Sequence, residues 1–208
     1  MVDAARQPRI DVRTYTEVEK VEGFVGNFKV TLREKAKHVL ADRCNGCGDC
    51  AKVCPIEVPN YFEMNLAPRK AAYVPMSQSV PLVYNIDLDA CIHCYKCVEA
   101  CGPLEAIDFS QEDKIVEEDI GAIIVATGFG HFDPSVMLEY GYGRFPNVIT
   151  SMEMERLNNS AGPTSGNLIR PSDHQNPRKL ANINCVGSRD KRYNPACSNF
   201  CCMYSIKN

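Results

Sequence analysis

The chain of 208 residues carries 23 Lys and Arg against 26 Asp and Glu, a formal net charge of −3 that argues against nucleic acid or an anionic membrane surface as the main partner. Its 45% apolar and 24% charged content is ordinary for a soluble globular protein of one or two domains. No apolar run approaches the roughly 20 residues that a membrane-spanning helix needs, and the opening Met-Val-Asp-Ala-Ala-Arg-Gln lacks the apolar stretch of a secretion signal, so export is not expected.

The first predicted element lies within residues 10–22, where Ile10, Val12, Val18 and Val21 stand among polar residues as a strand and its approach. Gly23 and the Gly26-Asn27 pair predict a turn. After it Phe28, Val30 and Leu32 alternate with Lys29, Thr31 and Arg33, the period of two of a half-buried strand. The first cysteine run begins just past Ala41. Between the two runs, five of the 13 prolines fall from Pro55 to Pro81. Proline removes backbone donors and fixes φ, so a loop-rich covering is expected there, with Tyr61, Phe62, Tyr73 and Val74 buried. Beyond Cys101, Ile107 and Phe109 suit a short strand, with Lys114-Ile115-Val116 as its partner across Gln111-Glu112-Asp113. Gly-Ala-Ile-Ile-Val-Ala-Thr-Gly, residues 121–128, then predicts a strand buried on both faces, because Ile123, Ile124 and Val125 are continuous and β-branched. Gly128 at its end would let a ligand approach the backbone closely. Asp133-Pro134 reads as the start of a helix that stops at Gly141, and Thr150 with Glu153 as the capping box of a helix through Leu157. Residues 158–179 read as loop, Leu180 to Val186 as a strand, and the last eight residues as a helix.

The chemistry concentrates in the cysteines, 12 in all. The run C-N-G-C-G-D-C-A-K-V-C-P places Cys44, Cys47, Cys50 and Cys54 before Pro55. The run C-I-H-C-Y-K-C-V-E-A-C-G-P places Cys91, Cys94, Cys97 and Cys101 before Gly102-Pro103. Each is C-x2-C-x2-C-x3-C, the spacing of bacterial two-cluster ferredoxins. Three thiolates at this spacing can meet one face of a cubane cluster from a single tight loop. Small neighbours are needed, and Gly46 and Gly48 supply them in the first run. The fourth cysteine ligates the other cluster in such ferredoxins, so Cys44, Cys47, Cys50 and Cys101 are expected on one 4Fe–4S cluster and Cys91, Cys94, Cys97 and Cys54 on the other. Zinc would use two C-x2-C pairs and would explain neither the third nor the fourth spacing. A disulfide-rich secreted protein is disfavoured by chain length, by the missing signal and by the spacing itself, and reduced thiols point to the cytoplasm. His93, inside the second run, is not expected to be a ligand. Cys185, Cys197, Cys201 and Cys202 have irregular spacing. With Cys197 and Cys201 on one helix face and Cys185 arriving from a strand end, either a third cluster or buried free thiols would suit them.

The motifs V-E-G-F-V-G-N-F-K-V, the two cysteine runs, G-A-I-I-V-A-T-G, C-V-G-S-R-D and the closing S-N-F-C-C-M-Y-S-I-K together resemble the heterodisulfide reductase A subunit family. That resemblance spans nearly the whole chain. It implies an α+β fold in which a two-cluster ferredoxin-like domain is inserted into a partial thioredoxin-reductase-like FAD domain. The implied layout is residues 1–40 in the FAD-binding domain, 41–104 the inserted ferredoxin domain, 105–150 the return to the FAD-binding domain, and 151–208 the start of a second nucleotide-type domain. It also implies FAD contacts at Val18, Thr127 and Gly128, Lys207 near the flavin, and a third, unusual cluster on Cys185, Cys197, Cys201 and Cys202. The implied role is electron relay between clusters and FAD, with flavin-based bifurcation in some members. The implied partners are B- and C-type subunits and an electron-donating hydrogenase or formate dehydrogenase. One feature departs from the pattern: neither Gly128-Phe129-Gly130 nor Gly141-Tyr142-Gly143 completes the G-x-G-x-x-G loop that holds a dinucleotide pyrophosphate. The chain is therefore expected to be an internal piece of such a flavoprotein. Two other readings are a ferredoxin-like electron-docking module without flavin and a zinc-stabilised interaction protein.

Overall fold

A computed structural model describes residues 2–128 and 130–207. Met1, Phe129 of the Gly-Phe-Gly segment and Asn208, the last residue of the helix expected at the C-terminus, lie outside them. The chain forms two compact units, one of residues 1–58 and 68–126, the other of residues 59–67 and 127–208.

The first unit begins with helix α1 (Val2–Arg6), then the hairpin of β1 (Thr16–Phe24) and β2 (Asn27–Glu34). The hairpin closes through Phe24 opposite Asn27, with Gly26 at φ 92°. Gly23, at φ 95°, is required there: a Cβ would lie 2.1 Å from the Asn27 carbonyl oxygen. The alternation in β2 buries Val30 and half-buries Phe28 and Leu32, as its period of two requires.

The cysteine-bearing part follows as α2 (Asp49–Val53), the narrow ribbon of β3 (Glu57–Pro59) and β4 (Pro68–Lys70), the pair β5 (Ala72–Tyr73) and β6 (Asn85–Ile86), and α3 (Lys96–Cys101). Its core is Val39, Ala72, Val83, Ile86 and Ala106 together with Cys50 and Cys97. Most of these side chains are small, so backbone segments approach one another closely. Leu40 N–H donates to the Ala106 carbonyl at 2.7 Å and Asp108 N–H to the His38 carbonyl at 3.1 Å, which ties the entry of the cysteine region to its exit. The chain then returns as β7 (Lys114–Ile120), antiparallel to β2, giving the sheet order β1-β2-β7.

Two expectations change here. Lys114-Ile115-Val116 does not pair with Ile107-Phe109. Ile107 instead bridges Val39, and Val116 sits opposite Leu32, in line with Val18 on β1. The longer ladder along β2 outcompetes a short local hairpin. Residues 121–128 form no strand, and Ile124 and Val125 are 92% and 78% exposed. A continuous apolar run becomes a strand only with neighbours to hydrogen-bond on its sides. The sheet stops at Ile120, and the last tie to the hairpin is Gly26 N–H to the Gly121 carbonyl at 2.8 Å.

The second unit holds the excursion 59–67, two short 3-10 turns (Pro134–Val136 and Leu138–Tyr140), α4 (Ser151–Asn158) and α5 (Cys201–Lys207). Asp133 caps the first turn through Ser135 N–H at 2.9 Å and Gly141 ends the second at φ 74°, so the expected helix is two single turns with its predicted ends. The capping box of α4 forms as expected. Glu153 N–H donates to Thr150 Oγ1 at 3.2 Å, and the Glu153 carboxylate accepts from Thr150 N–H at 2.5 Å. Residues 180–186 carry no strand, because among the described residues no ladder partner pairs with them. Tyr61 and Phe62, expected to be buried, are 77% and 42% exposed on a 3-10 turn, while Tyr73 and Val74 are half-buried. No helix among the described residues is long and apolar enough to cross a membrane.

Candidate metal centre

Each cysteine run wraps a turn before it enters a helix. In the first, Cys44 N–H closes onto the Leu40 carbonyl at 2.9 Å, and Cys47 N–H donates to Asn45 Oδ1 at 3.1 Å. Gly46 and Gly48 have φ of 72° and 83°, and their Cβ positions would fall 2.8 Å from Leu82 Cγ and 2.7 Å from Tyr84 Oη. Backbone conformation and crowding thus both demand glycine, which keeps the loop tight around Cys44, Cys47 and Cys50. The second run uses non-glycine residues for the same bends: His93 at φ 52° and Tyr95 at φ 59°, the latter at the N-cap of α3 as Gly48 is of α2.

The fourth cysteine of each run leaves its own loop. Cys54, the C-cap of α2, is extended at φ −67° and ψ 121°, and Cys101 ends α3 where a 3-10 turn begins. The result is two cavities. One, of about 310 Å3 of open space, is lined by Cys44, Cys47, Cys50 and Cys101 with Val39, Tyr84 and Ala106 among its walls. The other, of about 330 Å3, is lined by Cys91, Cys94, Cys97 and Cys54 with Ile56, Ala71 and Ile86. Cys50 and Cys97 are buried, while Cys47 and Cys94 are on the exposed side. Burial pushes the Cys50 thiol up to about 12 and raises that of Cys97 as well. Ligation of a metal would therefore have to drive off these protons. Ala106 N–H donates to Cys101 Sγ at 3.3 Å and His93 N–H to Cys91 Sγ at 3.4 Å, the kind of contact that stabilises thiolate charge. The sequence carries no mark of this part for Ala106.

Among the described residues no three or more His, Cys, Asp or Glu side chains are grouped to hold one metal ion. Each set of four thiols instead surrounds a space. A cubane cluster needs that arrangement, whereas zinc needs its four ligands drawn to about 2.3 Å from one point. The donor set and its mostly apolar walls fit the cluster.

In the second unit, Cys201 opens α5, so Cys197 lies in the loop before the helix and not on its face. Cys185 sits at φ 63°. Cys201 is held below the ordinary thiol range by the Cys185 backbone and by Ser198, whose hydroxyl is 3.6 Å from its sulfur. Cys202 is raised by Cys201 first, and by Cys185 and Cys197 as well. Asn199 N–H donates to Cys197 Sγ at 3.3 Å. Of the residues expected near flavin, Val18 is exposed on β1 and Thr127 and Gly128 lie in exposed chain. Lys207 Nζ is 3.3 Å from Glu155 Oε1. Neither cysteine cavity is lined by any of these four.

Residues 43–107, which carry both four-cysteine cavities, match the family of 4Fe-4S dicluster domains. The whole chain is related to the A subunits of heterodisulfide reductases. It is 51% identical to the iron-sulfur A subunit of the CoB–CoM heterodisulfide reductase of Methanocaldococcus jannaschii. It is 54% identical to the second of two such A subunits from Methanopyrus kandleri. It is 49% identical to the A subunit of the H(2)/formate:CoB-CoM heterodisulfide,ferredoxin reductase of Methanococcus maripaludis. Each match covers 100% of this chain and 32% of the relative, so the chain spans about a third of the length of these proteins.

Proposed function

We propose that the chain is an electron-relaying part of a heterodisulfide reductase A subunit, with one 4Fe–4S cluster on Cys44, Cys47, Cys50 and Cys101 and a second on Cys91, Cys94, Cys97 and Cys54. The observation that carries this reading is the exchange of the fourth cysteine between the two cavities. Bound clusters would supply one-electron storage at potentials set by hydrogen bonding and solvent access. The protein's part is to hold the thiolates and to keep water from Cys50 and Cys97. The Ala106 and His93 amides add positive partial charge at two sulfurs. A third cluster on Cys185, Cys197, Cys201 and Cys202 belongs to the same proposal, as the family resemblance implies.

The likeness to these relatives extends the reading. FAD, contacted at Val18, Thr127 and Gly128 with Lys207 nearby, would exchange electrons with the clusters. B- and C-type subunits and a hydrogenase or formate dehydrogenase would supply and receive them, in the cytoplasm. Iron and flavin analysis with EPR on anaerobically prepared protein tests this. Two clusters require about eight irons per chain, and fewer than about four would end the proposal. Full iron without flavin would assign the chain to the second reading, a ferredoxin-like docking module. That reading is favoured by the exposure of Thr127 and Gly128.

A further inference from the structure

The wall of the Cys54, Cys91, Cys94 and Cys97 cavity is backed by an ion pair largely withdrawn from water. Ala71, Ala72 and Ile86 line that cavity, and all three are buried. The β5–β6 pair sets Ala72 opposite Ile86, and Asp87 N–H donates to the Ala71 carbonyl at 2.8 Å. Asp87 therefore follows one wall residue directly and is bonded to another. Its carboxylate accepts from Arg69 Nη2 at 2.5 Å, with the Arg69 and Asp87 side chains 17% and 22% exposed. Arg69 is held twice more. Its Nη1 donates to the Lys70 carbonyl at 3.1 Å, and its guanidinium lies 3.9 Å from the centre of the Tyr73 ring.

The cavity of Cys44, Cys47, Cys50 and Cys101 also has an ion pair beside it, of a different kind. Arg43 precedes Cys44, and Glu105 precedes the wall residue Ala106. Arg43 Nη1 lies 3.9 Å from Glu105 Oε2, with side chains 51% and 81% exposed. Water and salt screen charges in such a place, whereas a pair largely withdrawn from water is screened much less. Two opposite charges at the sheltered site cancel only while both are present. Removing one leaves the other uncompensated where the effective dielectric is low.

From this we infer that the Arg69–Asp87 pair tunes the reduction potential of the Cys54, Cys91, Cys94, Cys97 centre through its charge balance. The inference rests on the reading of that cavity as a cluster site. One-electron reduction adds a negative charge to a cluster, so its potential answers to the charges around it. An unpaired Asp87 carboxylate opposes the added electron and lowers the potential. An unpaired Arg69 guanidinium favours the electron and raises the potential. The sign of the effect thus depends on which partner is removed, and a mere loss of packing does not produce that reversal.

The test uses the 208-residue chain reconstituted anaerobically with iron and sulfide, as wild type, Arg69→Gln, Arg69→Lys and Asp87→Asn. Potentials are read by EPR during titration with dithionite at one pH and one ionic strength, and cluster signals are assigned by their loss in Cys94→Ser. The expected result for the Cys94-dependent cluster is a lower potential in Arg69→Gln and a higher one in Asp87→Asn, with smaller shifts at the other cluster. Arg69→Lys keeps the charge and should stay close to wild type. Asp87→Asn keeps the shape of the side chain and carries the test by its sign if Arg69→Gln fails to fold. Shifts of one sign in both charge-removing variants, equal shifts at both clusters, or no shift would overturn the inference. So would an Arg69→Lys shift as large as that of Arg69→Gln. Wild-type protein that takes up no cubane cluster would remove the underlying reading, and the inference with it.

Discussion

The two cysteine regions of this chain are built in opposite ways. In residues 44–101, three thiols of each run come from one loop of seven residues, bent by glycine or positive-φ residues and walled by Val39, Ala106, Ala71 and Ile86. Near the C-terminus, Cys185, Cys197 and the adjacent Cys201 and Cys202 arrive from three separate places, and Cys197 and Cys202 are exposed. A loop of fixed spacing creates its cavity locally. A scattered set has only the packing of its surroundings to hold it, and sequence spacing says little about it.

The comparison can be broken first at its strongest point. Cys97→Ser removes a buried thiol from the second cavity. Iron should fall by about four per chain as one whole cluster is lost, read by iron analysis and EPR. Retention of both EPR signals would show that Cys97 is not a ligand. The scattered set is tested by Cys201→Ser with Cys202→Ser, which should lower iron by one further cluster if these thiols hold metal. Unchanged iron would make them free thiols and sharpen the contrast between the regions.

A smaller effect is expected from Gly48→Ala. The residue has φ 83°, and a Cβ would lie 2.7 Å from Tyr84 Oη, so the variant should lose about 1–3 kcal/mol in denaturant unfolding. The Cys44-containing cluster should also reconstitute more slowly than its neighbour. Equal rates for both clusters would mean that Gly48 shapes stability alone. The smallest effect concerns pH. Tyr15 is 38% exposed, yet burial first and the nearby Tyr73 and Asp87 next push its phenol up to about 12. The unfolded phenol ionises near 10. The stability tied to the neutral ring is therefore complete below pH 10 and is lost between about 10 and 12. Tyr15→Phe should flatten the pH dependence of unfolding in that window, and an unaltered slope would place the alkaline transition elsewhere.

Much of the fold is legible in the sequence where its signals are local. The Gly23–Asn27 turn, the alternation in β2, the Thr150–Glu153 capping box and the eight-cysteine spacing each depend on residues within a few positions of one another. Where a signal requires a distant partner, sequence reasoning goes astray. Residues 121–128 have the composition of a buried strand and stand exposed, since β-branched residues favour extension but cannot supply the neighbouring strand. Lys114-Ile115-Val116 has an apolar stretch close by in the chain, yet β2, some 80 residues earlier, offers the longer ladder.

By itself, the sequence determined the identity and grouping of the thiols, because cluster chemistry demands short spacings that survive any change in the rest of the chain. It also determined where α4 begins, because its capping box is made by neighbours. Only the tertiary structure decided which residues wall the two cavities, and that Ala106 and His93 offer their amides to sulfur. It alone joined Glu63 to Arg156 across 93 positions. A salt bridge of that separation leaves no periodicity or motif behind. Its partners become visible only when burial takes them out of water and forces each to find the other.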